Sequence, residues 1–169
     1  ESTLEYGMHG IGFSVYEEGQ KPGDNISLEQ IKRRMNIIKP HFKWVRSFSC
    51  IQGNDAVPLV AKEMGLKTLV GAWLGEDPKK NTEEIEQLIQ LANDGLVDVA
   101  AVGNEVMYRG DLTENELLEY IHQVKEALPD IPVGYVDAYY EFEDRPAITE
   151  ACDVILANCY PFWEGLSLI

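Results

Sequence analysis

The sequence predicts an α/β protein of the (β/α)8 barrel class. Short β-branched or aromatic runs alternate with helix-patterned stretches along the whole chain. The strands start near Ile11, Lys43, Lys67, Val97, Ile131 and Cys152, at intervals of 32, 24, 30, 34 and 21 residues, which is the rhythm of βα units. Most of these runs are apolar on both faces, as parallel strands covered by helices must be. A doubly wound open sheet would share these features, but it usually carries a glycine-rich phosphate turn after its first strand. The segment Phe13-Ser14-Val15-Tyr16-Glu17-Glu18 has none, so the barrel is favoured.

Taken in order, the expected strands are residues 11–16, 43–50, 67–73, 97–104, 131–137 and 152–160. The helices between them carry their own punctuation. Ser27 with Gln30 resembles a capping box, and Leu28, Ile31, Met35 and Ile38 follow at helical spacing. A second helix opens at Asn54 or Asp55, tolerates Pro58 in its first turn and stops at Gly65. In the third, Asn81 is the expected cap, Ile85, Leu88, Ile89 and Ala92 share a face, and Gly95 ends the run. Thr113 with Glu116 reads as another capping box ahead of Leu117, Ile121, Val124 and Leu128, and a shorter helix is expected near Pro146. No linker or low-complexity segment interrupts this order, so residues 1–169 are expected to be one domain holding six of the eight βα units of a barrel.

Composition narrows the function. With 29 acidic and 14 basic residues the formal net charge is −15, which disfavours a surface that tracks phosphates or anionic lipid, so no nucleic-acid partner is expected. Apolar residues make up 45% of the chain, enough to build a core, yet no run approaches the roughly 20 residues of a membrane span. Three cysteines in a chain of this length are not a disulfide scaffold and are expected to be buried free thiols. His9 and His41 are placed before the first and second strands and His122 within a helix, so they do not converge on a metal, and no cofactor is expected.

In parallel α/β folds reactive side chains gather where strands end. That edge here collects Arg46 from the second strand, Trp73 from the third, Asn104, Glu105 and Tyr108 from the fourth, Asp137, Tyr139 and Tyr140 from the fifth, and Tyr160, Phe162 and Trp163 from the sixth. Aromatic faces accept the apolar face of a sugar ring, while amides, carboxylates and Arg bind its hydroxyls, so a carbohydrate ligand is expected. Tyr135 and Phe42 read instead as core. Glu105 is the sharpest single residue, because the apolar run from Val99 to Gly103 ends by presenting Asn104-Glu105 at the rim. A carboxyl group there is suited to general acid work.

Gly103-Asn104-Glu105-Val106, continuing to Thr113, resembles glycoside hydrolase family seventeen, the β-1,3-glucanase family of clan A barrels, especially its bacterial members. The segment from Asn158 to Gly165 is similar to that family's Tyr-Pro-Phe segment after strand six, and Val45-Arg46-Ser47-Phe48 to its strand-two arginine. The resemblance implies a retaining, endo-acting hydrolase of laminarin-type glucan in which Glu105 is the acid/base. Asn104 would bond the sugar 2-hydroxyl, and Arg46 and Tyr160 would position the nucleophile or hold the ring beside it. The family's nucleophilic Glu ends strand seven and is expected beyond residue 169. A β-1,3-glucan transglycosylase and a non-catalytic glucan-binding protein are the alternatives. The acidic surface suits a secreted, periplasmic or outer-surface protein meeting a neutral polymer.

Overall fold

Six parallel strands form one sheet in sequential order, β1 Met8–Gly12, β2 Phe42–Ser47, β3 Lys67–Ala72, β4 Val99–Asn104, β5 Val133–Ala138 and β6 Val154–Asn158. This is the order of a barrel wall, without the reversal of a doubly wound sheet. The computed structural model describes residues 8–160 and Gly165. Seven α-helices lie among the described residues: α1 Leu28–Ile38, α2 Ala56–Glu63, α3 Pro78–Asn93, α4 Val106–Arg109, α5 Glu114–Ala127, α6 Tyr139–Glu143 and α7 Pro146–Ala151. A short 3-10 turn, Lys39–His41, precedes β2.

Helices pack on one face of the sheet in two apolar clusters. Val45 meets Ile31, Met35, Val57 and Val60 of α1 and α2. Val70, Val102, Val133 and Tyr135 meet Ile85, Leu88, Leu117, Ile121 and Ile148 of α3, α5 and α7. Tyr135 and Phe42 are buried, as core residues should be. Alternation along each strand then turns Arg46 to the opposite face from Val45.

Several local expectations change. The first strand lies at Met8–Gly12 rather than at residues 11–16, and His9 falls inside it. Met8 pairs with Phe42 and Gly10 with Trp44. Phe13 and Val15 misled the reading because they are buried against the α1 and α2 cluster, which extends the apolar signal past the ladder. Ser27 accepts from the Gln30 amide at 3.2 Å, but the Gln30 side chain does not return the bond. It reaches Val15 O at 2.7 Å and pairs with Gln20, tying down the loop after β1. Asp77, not Asn81, caps α3, accepting from Lys79 N at 3.0 Å. Asn81 is buried one turn inside and clasps Gly75 through both its N–H and its carbonyl. The Thr113–Glu116 box is reciprocal as expected. Cys50 is buried but Cys159 is exposed, so the thiols are not all core groups.

Asp98 fastens the lower ends of β3 and β4, accepting from Lys62 Nζ and the Thr68 amide at 2.7 Å each. Burial alone would raise its carboxyl, but the bonds from Lys62 and Thr68 outweigh it and hold the group below its ordinary 3.8. A depressed acid stabilises the fold above its unfolded pKa, and that contribution is lost as pH falls through the folded value. Asp98→Asn should cost about 1–3 kcal/mol at neutral pH and flatten the acid limb of stability in urea unfolding. An acid limb identical to wild type would show that Asp98 contributes nothing.

Candidate functional site

β4 does not end as an ordinary strand. Its register against β5 shifts between Ala101 and Asn104. Gly103 takes φ 89°, and a Cβ there would meet Val106 Cγ2 at 2.9 Å, so only glycine fits. Glu105 follows at φ 54°, a left-handed conformation that costs a non-glycine residue energy and persists where its surroundings hold it. The Glu105 amide donates to Val136 O at 2.7 Å, and its carbonyl accepts from Arg109 N at 2.9 Å. The turn that follows is α4.

Asp137 secures that turn from below. It is fully buried at the end of β5. Its Oδ2 accepts from the amides of Met107 at 3.2 Å and Tyr108 at 3.3 Å, and from the Tyr135 hydroxyl. Burial raises the Tyr135 hydroxyl, as does its bond to Asp137, so it stays a donor. Asp137 therefore shapes the turn carrying Glu105 and does not face a ligand.

Above the turn the predicted residues converge. Asn158 Nδ2 donates to Glu105 Oε1 at 2.9 Å, and the Tyr160 hydroxyl reaches the same oxygen at 3.1 Å. Both bonds land on one oxygen, which orients the carboxyl group without using the other. Burial and the charge of Glu105 raise the Tyr160 hydroxyl, keeping it protonated as a donor. Arg46 Nη2 donates to Asn104 Oδ1 at 2.5 Å, and its guanidinium lies 4.4 Å over the Phe48 ring. Burial lowers the Arg46 pKa against the pull of Tyr160 and Glu105. Its Nε is buried with no hydrogen-bond partner among the described residues.

Aromatic residues flank this centre on both sides. On the β3 side Trp73 is 42% exposed. It joins Phe13, Tyr16, Phe48, Asn81 and Glu84 in the walls of a cleft of about 550 Å³, in which Glu105 takes no part. Glu84 braces that cleft, accepting from Ser49 Oγ at 2.5 Å and Cys50 N at 2.7 Å, and burial pushes its carboxyl above the ordinary value. On the β5 side Tyr108 is 60% exposed, and Tyr139 packs edge-on against Tyr140 at 5.2 Å. Phe162 and Trp163 lie outside the described residues. Sequence reasoning did not commit to Asn158 or Glu84. Asn158 had a signal, an amide ending an apolar strand like Asn104, whereas Glu84 reads as one more charge on a helix rich in them.

Residues 10–168 match the BtgE/BtgC glycoside hydrolase domain. A glucan 1,3-beta-glucosidase of Arthroderma benhamiae is 28% identical, over 94% of this chain and 53% of that protein. One from Saccharomyces cerevisiae is 24% identical, over 94% of this chain and 56% of its own length. The crystal structure of a glycoside hydrolase family 17 beta-1,3-glucanosyltransferase from Rhizomucor miehei superimposes with a TM-score of 0.79 at 28% identity, covering 94% of this chain and 59% of that one. An active-site mutant of that enzyme is known in complex with laminaritriose. The chain thus spans about half the length of the curated relatives it matches, and its six strands correspond to part of a (β/α)8 barrel. These relatives are fungal, and the bacterial affinity read from the sequence stays an expectation.

Asp137→Asn should cost about 1–3 kcal/mol, because an amide cannot accept every bond the carboxylate now takes. Tyr135→Phe should cost less, about 0.5–1.5 kcal/mol. Chemical denaturation of both variants checks the order, and an Asp137→Asn protein as stable as wild type would mean that the turn is held by other groups.

Proposed function

The chain belongs to the BtgE/BtgC glycoside hydrolase family, of the family-seventeen type, and from that we propose that it contributes the acid/base half of a retaining enzyme acting within β-1,3-glucan chains of the laminarin type. The observation that carries this reading is Glu105: a carboxyl group held at a strand end in a left-handed turn and oriented through one oxygen by Asn158 and Tyr160. Glu105 would protonate the glycosidic oxygen as the bond to the anomeric carbon breaks, then take a proton from the water that releases the sugar. Asn104, pinned by Arg46, would bond the 2-hydroxyl, a contact that strengthens as the ring flattens.

Retaining chemistry needs a second carboxyl group about 5 Å from the first. The buried Nε of Arg46, without a partner among the described residues, suits a carboxylate, and a nucleophilic Glu at the end of a seventh strand would supply it. Trp73 on one flank and Tyr108, Tyr139 and Tyr140 on the other supply apolar faces for successive sugar units. Phe162 and Trp163 are assigned to the same binding role on sequence grounds. A location outside the cytoplasm fits an acidic protein meeting a neutral polymer.

Transfer of the glucosyl unit to another sugar is the second reading. It is favoured by the likeness to a beta-1,3-glucanosyltransferase and by aromatic side chains on both sides of Glu105, which could hold an acceptor as well as a donor. In the full-length protein, Glu105→Gln should lower turnover of laminari-oligosaccharides by about 10² to 10⁴-fold. Azide should restore turnover of an activated aryl glycoside, because the anion displaces the enzyme carboxylate from the glycosyl-enzyme intermediate, giving a glycosyl azide, and needs no base to do so. Longer products formed by the wild type would identify transfer. A folded Glu105→Gln protein that degrades glucan at the wild-type rate would end the assignment.

A further inference from the structure

Each nitrogen of the Arg109 guanidinium donates a hydrogen bond. Nη1 donates to the carbonyl of Asn104, and Nη2 donates to the carbonyl of Leu74 at 2.9 Å. Nε donates to Asp111 Oδ2 at 2.7 Å, and the guanidinium plane rests 4.7 Å from the Trp73 ring centre. One planar fork therefore spans the ends of β3 and β4. It holds the peptide immediately before Glu105 and covers one face of the aromatic that lines the β3-side cleft.

We infer that Arg109 is a positioning residue which fixes the Asn104–Glu105 peptide and the Trp73 ring in one relation, so that a sugar stacked on the free face of Trp73 meets an acid already aimed at its glycosidic oxygen. The inference rests on the proposed acid/base role of Glu105. Arg109 touches neither sugar nor proton. Glu105 sits at φ 54°, and its side-chain direction follows the peptide that Arg109 holds on one side and Val136 on the other. Losing one of those two ties lets the carboxyl group drift, and a displacement of about 1 Å can cost up to about 10²-fold in rate.

The test uses the full-length protein and a series of aryl β-1,3-glucosides graded in leaving-group acidity, with phenol release read in the first turnover. Arg109→Lys keeps the charge but cannot bond both carbonyls in a fork. The expected result is an about 10- to 100-fold loss for poor leaving groups, which need the acid, with near wild-type rates for the most activated one. Loss of the same size across the series would indicate a merely structural role and overturn the inference, as would no loss at all. Should Arg109→Lys not fold, Asp111→Asn weakens the hold on Nε while keeping the guanidinium, and the same steepening is expected in milder form. A wild-type protein inactive on every member would overturn the proposed function and this inference with it. Activity in the wild type with an unchanged slope in both variants would overturn the inference alone.

Discussion

Glu105 occupies a left-handed conformation at the junction of β4 and α4, and a side chain other than glycine stays there only while its neighbours hold it. Four elements contribute. β5 takes the Glu105 amide on Val136 O, and Asp137 of the same strand takes the next amides of the turn. β2 holds the Asn104 side chain through Arg46, and the Arg109 fork ties the Asn104 carbonyl to the end of β3. A residue held from so many directions has little freedom left to lose, and under the proposed acid/base role its carboxyl group would be aimed before the reaction begins.

The sheet makes this possible because its strands run in order. Sequential parallel pairing brings the ends of β2, β3, β4, β5 and β6 to one edge. The apolar clusters against the helices hold β2, β3, β4 and β5 without using the side chains at the rim. The cost falls on buried polar groups. Asp137, Glu84 and Asn81 are each buried and each satisfied by backbone or hydroxyl partners, so they act as internal brackets for the loops.

Much of this was legible in the chain. Apolar strand runs, helical faces and glycine stops are local signals, and they located five strands closely together with the order of the helices. The first strand was misplaced because Phe13 and Val15 are buried by helices beyond the ladder, which a pattern of hydrophobicity cannot distinguish from pairing. Glu105, Asn104 and Arg46 were readable as polar residues closing apolar runs. The brackets were less so: Glu84 looks like a solvated helix charge until distant loops are folded against it, and Arg109 could be placed near the end of strand four but not given its partners. Asp137 carried a signal that was misread: an acid inside a strand whose every residue is buried needs partners of its own before it can serve a ligand.

The same logic explains why a cation lies at the centre of so acidic a protein. Burial works against the charged form of Arg46, and the fold tolerates it because Glu105 and Tyr160 favour that charge. The aromatic face of Phe48 adds to this support and orients the guanidinium plane. In the retaining reading a second carboxylate must approach within about 5 Å of the first, and two like charges that close cannot both stay ionised at ordinary cost. A guanidinium already desolvated beside Glu105, with a buried Nε that has no partner among the described residues, would lower that cost for a second carboxylate. Both groups that bond Glu105, Asn158 and Tyr160, are neutral donors, so in that reading the guanidinium is the one cation among these contacts that would favour the ionised form of an attacking carboxylate.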